Sequence, residues 1–131
     1  EINNNFNTNH KFKNGNLEYL AHQGILLLNN TLSVRDSQPN SHLKIWNGFS
    51  KYIIENITKN NKNIIFMLWG NNAKLIKKYV CEEHRKNHYF LESAHPSPLS
   101  ANRGNWFNQN HFKKTNEILT QNNKEMINWF I

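Results

Sequence analysis

Ile64-Ile65-Phe66-Met67-Leu68-Trp69 is a continuous apolar run that follows a polar turn at 60–63 and stops at Gly70. A run of this length between turn residues is typical of a strand that is buried on both faces, as in a parallel sheet. A helical pattern follows over Ala73–Val80, and a second short apolar run, Tyr89–Leu91, comes after it. The order strand, helix, strand predicts two parallel strands joined by a right-handed crossover.

The same alternation extends toward the N-terminus. Ile25–Leu28 is a further apolar run, bounded by Gly24 and an asparagine, and it is predicted as another buried strand. A short helix is predicted over Leu17–His22, ending at the glycine. Residues 1–14 are rich in Asn and show little apolar periodicity, so they are predicted as a loop or frayed terminus that precedes a domain over 15–131.

Two longer helices complete the pattern. Apolar residues recur every three or four positions after Ser41, which is predicted as the N-cap of a helix over Leu43–Thr58. A last helix is predicted over Phe112–Thr120, and the tail Trp129-Phe130-Ile131 is predicted to pack on the body. The whole pattern predicts an α/β fold with a parallel sheet and helices around it.

In such a sheet, ligands bind beyond the carboxyl ends of the strands. Three loops follow the predicted strands, at Asn29–Arg35, Gly70–Asn72 and Ala94–Arg103. We expect these loops to face one common crevice. The pattern of strands and helices therefore predicts where a site lies, but it does not predict the chemistry of that site.

Composition narrows the classes of protein to which the chain can belong. The chain has 131 residues, a net charge of +7 and one cysteine, Cys81. The positive charge suits a phosphate-binding surface, although a coding bias toward lysine and asparagine would give the same excess of positive charge. A single cysteine excludes a disulfide within the chain and favours a reducing, intracellular setting. No apolar run approaches the ~20 residues that a membrane span requires.

Three sequence blocks are more specific than the pattern. They are His95-Pro96-Ser97-Pro98-Leu99-Ser100, the block running from Gly24-Ile25-Leu26-Leu27-Leu28-Asn29 to Asn40-Ser41-His42, and Leu68-Trp69-Gly70. In this order and at this spacing, the blocks resemble the family-1 uracil-DNA glycosylases. The resemblance extends from Leu17 to Trp129.

This resemblance implies a four-stranded parallel sheet flanked by helices, with the region of the first strand missing from this chain. It implies hydrolysis of the bond between uracil and deoxyribose in single- or double-stranded DNA, with no metal and no organic cofactor. It also implies a monomer without a membrane partner, located in the nucleus, a mitochondrion or another DNA-containing organelle.

The resemblance assigns the uracil contacts to Asn29 and His95. An amide in the position of Asn29 accepts a hydrogen bond from uracil N3–H and donates one to O4, whereas cytosine presents the opposite pattern. The alternative for Asn29 is an asparagine bonded to its local backbone at a strand end. A neutral imidazole at His95 donates to uracil O2 as negative charge develops there. The alternative for His95 is a loop histidine without a special role.

The remaining assignments concern DNA. Leu99 corresponds to the wedge that fills the space left by a flipped nucleotide. Ser97 and Ser100 correspond to phosphate contacts, and Gly70-Asn71 to a further DNA-binding loop, in which the family commonly has Ser at the position of Asn71. Arg103 is either a DNA contact or a solvated surface charge.

One family motif does not occur in the sequence. The water-activating motif Gly-Gln-Asp-Pro-Tyr-His is absent, and the only aspartate, Asp36, lies on a different segment. We therefore expect the C-terminal, larger part of a glycosylase domain, with little or no activity on its own. A non-catalytic DNA-binding module and a basic α/β domain with another partner remain as alternatives.

Overall fold

The computed structural model describes residues 1–130, which form an α/β arrangement of short elements. The helices are α1 (Ile2–Phe6), α2 (Glu18–Ala21), α3 (Leu43–Asn60), α4 (Asn71–Lys74), α5 (Glu82–Arg85), α6 (Pro98–Ala101) and α7 (His111–Gln121), with a 3₁₀ helix at Leu75–Tyr79. The strands are β1 (Ile65–Trp69) and β2 (Tyr89–Ser93). No helix within the described residues has the length and apolar character needed to cross a membrane.

The strands β1 and β2 are parallel neighbours, which confirms the predicted crossover. Their register pairs Ile65 with Tyr89 and Trp69 with Ser93, so the two strands end together. Successive side chains of a strand point to opposite faces. Phe66 and Leu68 accordingly contact one apolar cluster, whereas Met67 and Trp69 contact another, and the helices cover both faces of the sheet.

The prediction of a strand at Ile25–Leu28 is wrong for this structure. The run has no strand pairing, and the described residues form a two-stranded sheet rather than the four-stranded one. Ile25 packs against one cluster and Leu28 against the other, but Leu26 and Leu27 are 63% and 58% exposed. An apolar run becomes a buried strand only where neighbouring strands satisfy its backbone, and this run hydrogen-bonds to none.

The first cluster lies between α3 and the sheet. Ile54 of α3 packs there with Leu68, Ile76 and Val80, and Val80 is only 1% exposed. The predicted helix is confirmed and extends to Asn60, but the predicted N-cap is wrong. The helix begins after His42 without a side-chain cap, because the Ser41 hydroxyl accepts a hydrogen bond from the Arg35 N–H at 2.8 Å.

The second cluster joins the two ends of the chain. Leu20, Phe112 and Trp129 form its buried centre, and Phe130 packs against it. The loop predicted for residues 1–14 contains α1, because Ile2 and Phe6 pack on this cluster and give the helix an apolar face to bury. Helices α2 and α7 confirm the predicted ones, and the tail packs as predicted for its described part; Ile131 lies outside the described residues.

Two further predictions are corrected in detail. The helix expected over Ala73–Val80 is divided into α4 and the 3₁₀ helix, and it begins earlier, at Asn71. The loop expected at Ala94–Arg103 contains the single turn α6, which starts at Pro98. Proline suits a first helical position, since its missing N–H has no partner to lose there.

Candidate active site

The candidate site lies where the two parallel strands end. Past the last ladder pair, the Gly70 N–H donates to the Ser93 carbonyl at 3.0 Å, so Gly70 continues the strand by one residue. The chain then leaves β2 through Ala94, whose N–H donates to the Asn105 carbonyl at 2.9 Å. This bond closes the loop 94–105 on itself. The predicted loops Gly70–Asn72 and Ala94–Arg103 therefore meet at the carboxyl edge of the sheet.

The orientation of His95 is set by a short backbone contact. The Ser97 N–H donates to His95 Nδ1 at 3.0 Å. An imidazole nitrogen that accepts a hydrogen bond carries no proton, so the proton of the neutral ring resides on Nε2. The side chain is exposed. His95 thus has a donor N–H at Nε2 on an exposed side chain, which is the form that the stabilisation of a developing anion requires.

Gly70 provides the surface on which the His95 side chain lies. A Cβ at Gly70 would be 3.1 Å from the His95 Cβ and 3.3 Å from its Cδ2, closer than ordinary contacts. Gly70 also has a φ of 90°, which residues with a side chain rarely adopt. The position therefore requires glycine twice, for its backbone and for the approach of the imidazole.

The DNA-binding candidates lie on or beside α6. The Ser97 carbonyl accepts from the N–H groups of Ser100 and Ala101, and this turn holds Leu99 at the surface with 79% of its area exposed. Neither the Ser97 nor the Ser100 hydroxyl bonds to a described residue. The Arg103 side chain is exposed beyond the turn. These positions form one outward-facing loop beside His95.

Asn29 does not share these contacts. Its side chain is exposed and, among the described residues, has no hydrogen bond to the loop of His95. The next residue behaves differently: both amide atoms of Asn30 are buried without a partner in the described chain, while its carbonyl accepts from the Ser50 hydroxyl at 3.0 Å. Asn71 is exposed, and its neighbour Asn72 donates to the Asn40 side chain at 3.2 Å.

A pair of side chains behind the site was not anticipated from the sequence. The Trp69 indole Nε1–H donates to His111 Nδ1 at 3.0 Å, although 42 residues separate the two. His111 is buried at the start of α7, and this burial lowers the pKa of the imidazole, with the nearby Lys114 charge acting in the same direction. His111 is therefore neutral at physiological pH, as an acceptor at Nδ1 must be.

Other features of the described residues do not converge on His95. A shallow cavity of about 260 Å³ lies between α1 and Trp106, and His95 is not among the residues that line it. The described residues contain no group of three His, Cys, Asp or Glu side chains arranged to hold a metal ion. Asp36 is exposed on the turn in which Arg35 and Gln38 form an isolated bridge.

Comparison with known proteins identifies the family. A family model described as the uracil DNA glycosylase superfamily matches residues 4–120. The chain belongs to this superfamily. Uracil-DNA glycosylases from Buchnera aphidicola and Mycoplasmopsis pulmonis are 44% and 48% identical to it over its whole length. The one from Fusobacterium nucleatum is 47% identical over 90% of it.

Solved structures agree with the sequences. A mimivirus UNG variant in complex with UGI superposes on 99% of the chain with a TM-score of 0.83 and 29% identity, and the chain covers 54% of that protein. The mimivirus uracil-DNA glycosylase itself matches 76% of the chain with a TM-score of 0.63. The chain spans 51% to 58% of the length of the three bacterial relatives. The superfamily and the α/β fold expected from the three sequence blocks are thereby confirmed.

Proposed function

We propose that the protein is a uracil-DNA glycosylase, which hydrolyses the N-glycosidic bond between uracil and deoxyribose in DNA. The observation that carries the proposal is the hydrogen bond from the Ser97 N–H to His95 Nδ1, because it leaves the Nε2–H free to donate. Membership of the superfamily supports the same reaction.

The chemistry follows the charge that develops as the bond breaks. The electron pair of the C1′–N1 bond passes to the base, which leaves as an anion with charge on O2 and O4, and the sugar becomes an oxocarbenium ion. Water adds to C1′ and loses a proton. A fixed Nε2–H of His95, placed at O2, stabilises the anion without reorganisation, and one such donor contributes about 10²–10³-fold to kcat. The proposal gives Asp36 no part in activating the water.

Recognition of the base is assigned to Asn29. Its exposed amide has no competing partner among the described residues, so it is free to accept from uracil N3–H and donate to O4. Cytosine carries an acceptor at N3 and a donor at the exocyclic amine. The amide oxygen would therefore face an acceptor and the amide NH2 a donor, so neither hydrogen bond forms. The target nucleotide must first leave the base stack, which costs a few kcal/mol.

DNA binding is assigned to the loop around α6. Leu99 is exposed at the tip of the turn, where an apolar side chain is positioned to fill the space of a flipped nucleotide. Ser97 and Ser100 flank it with hydroxyls that bond to no described residue, and Arg103 and Asn71 are exposed nearby. The net charge of +7 supports phosphate binding. We propose that the protein acts on single- and double-stranded DNA as a monomer.

The test is uracil release from a single-stranded oligonucleotide that contains one uracil, measured with the full-length protein and with this chain alone. We expect release by the full-length protein, loss of release in Asn29→Asp and His95→Leu, and no change in Asp36→Asn. Matched oligonucleotides with cytosine or thymine at the same position serve as substrate controls. We expect this chain alone to release little uracil, since it lacks the Gly-Gln-Asp-Pro-Tyr-His motif.

Two results would contradict the proposal in different ways. An intact protein that binds the oligonucleotide but releases no uracil would be a DNA-binding module, and the proposed reaction would be wrong. Substantial release by this chain alone, abolished by Asp36→Asn, would assign Asp36 the water-activating role that we deny it.

A further inference from the structure

Trp69 connects α7 to the end of β1. Its indole N–H donates to His111 Nδ1 at 3.0 Å, and its ring contacts Phe112 edge-on with 5.7 Å between ring centroids. Both partners belong to the first turn of α7. The indole is therefore fixed by a directional bond and by packing, both to the same helix.

The end of β1 also contacts the His95 loop at two places, one through Gly70 and the other through Trp69. The next residue in the chain is Gly70, against which the His95 side chain lies. On its other side, the Trp69 ring meets the Trp106 ring edge-on with centroids 4.9 Å apart, and the neighbouring Asn105 carbonyl accepts from the Ala94 N–H. The start of the loop 94–105 and the residue that follows its end are thus both in contact with one strand end.

We infer that Trp69 is a positioning residue for His95, and that its hydrogen bond to His111 holds Gly70 and Trp106 where they fix the His95 loop. The inference rests on the proposed function and deepens it, because it names the residues that set the place of the proposed anion-stabilising donor. Trp69 acts through geometry alone, since a shift of about 1 Å at a reacting group costs on the order of 10²-fold in rate.

The critical group is the indole N–H, which Trp69→Phe removes while it keeps an aromatic ring. The chain offers a matched control in Trp129. That indole is buried, whereas Trp69 is partly buried, and it also contacts the Phe112 ring, with 4.9 Å between centroids. Its N–H has no partner among the described residues. Trp129→Phe therefore removes the same atoms from the same cluster without breaking a hydrogen bond.

The first experiment measures kcat and KM for uracil release by the full-length protein. We expect Trp69→Phe and His111→Leu to lower kcat about tenfold with KM changed by less than about twofold, since the loss falls on the reaction rather than on binding. His111→Asn should restore most of the rate, because its side-chain oxygen accepts near the position of Nδ1. Trp129→Phe should match the wild type.

A double-mutant cycle separates positioning from general damage. In the His95→Leu background, Trp69→Phe should have no further effect on kcat, because the group that it positions is already gone. Equal falls in the presence and absence of His95 would overturn the inference. If Trp69→Phe does not fold, the comparison of His111→Leu with His111→Asn decides, and equal rates for these two would overturn it as well.

A second readout requires no substrate. The ¹⁵N shifts of the His95 ring report which nitrogen carries the proton, and we expect the Nε2–H form in the wild type and in Trp129→Phe, but a mixture in Trp69→Phe. If the wild type releases no uracil yet the ring shifts change as described, the proposed function fails and the positioning stands. If release is normal and neither kcat nor the ring shifts respond to Trp69→Phe, the positioning fails and the function stands.

Discussion

Replacing Gly70 with alanine tests the approach of His95 directly, and Gly24 provides a matched reference. The two glycines have φ values of 90° and 86°, but a Cβ at Gly24 meets nothing within 4 Å, whereas one at Gly70 meets the His95 Cβ at 3.1 Å. A side chain forced into a sparsely populated positive-φ conformation costs about 1–3 kcal/mol, so we expect each alanine variant to lose about that much stability. The exposed His95 loop gives way by a few tenths of an ångström, so Gly70→Ala should add little to this loss.

The catalytic consequences should differ between the variants. In Gly70→Ala, the shift of the His95 loop moves the proposed donor by a few tenths of an ångström, which corresponds to roughly a tenfold loss of kcat. In Gly24→Ala, we expect no loss of kcat. Urea denaturation gives the free energies of unfolding, and uracil release by the full-length protein gives the rates. Equal rates for the two variants would refute the proposed contact. A stability loss in Gly70→Ala more than about 3 kcal/mol beyond that of Gly24→Ala would show that the loop is rigid and does not yield.

Three further predictions concern the loop, the core and pH. Leu99→Ala should change stability by less than about 0.5 kcal/mol but weaken binding of a uracil-containing duplex about tenfold, measured by fluorescence anisotropy. Val80→Ala should cost roughly 1–3 kcal/mol in urea denaturation, against less than about 0.5 kcal/mol for Ile45→Ala at the surface. Burial lowers the pKa of His88 against the opposing effect of its hydrogen bond to the Thr58 carbonyl. The contribution of His88 to stability should therefore be complete above about pH 6.5, the pKa of a histidine in the unfolded chain, and should fall as the pH drops toward the lower pKa of His88 in the folded protein. His88→Gln should flatten that part of the profile of stability against pH.

The core of the fold was predictable because its signals are local. The run Ile64–Trp69 and the run Tyr89–Leu91 are each bounded by turn residues, and the helical pattern between them makes their parallel pairing the expected solution. Ile25–Leu28 carries an equally strong apolar signal, yet its backbone pairs with neither strand. Hydrophobicity reports a preference for burial, whereas strand formation also needs a neighbour for the backbone, which no local pattern specifies.

The candidate site likewise has features that the sequence predicted and one that it did not. The meeting of Gly70 with the His95 loop followed from a general rule, since the carboxyl ends of parallel strands share one edge. The His95 tautomer depends on a neighbour only two residues away, Ser97, and belongs to the same recognisable block. The bond between Trp69 and His111 could not be predicted, because it depends on how α7 packs across the sheet. A histidine at a helix start gives no sequence signal for an acceptor role.

The two adjacent asparagines show how burial assigns different roles to identical side chains. Asn29, the proposed uracil contact, is exposed, whereas the amide of Asn30 is buried with neither its donor nor its acceptor satisfied within the described residues. Each unsatisfied buried group costs about 1–3 kcal/mol, so an apolar residue would suit Asn30 better if packing alone mattered. Local conflicts of this kind concentrate at functional sites. The conflict at Asn30 lies one residue from the proposed uracil contact, which supports placing the base-reading function on this segment, even though Asn29 has no hydrogen bond to the His95 loop among the described residues.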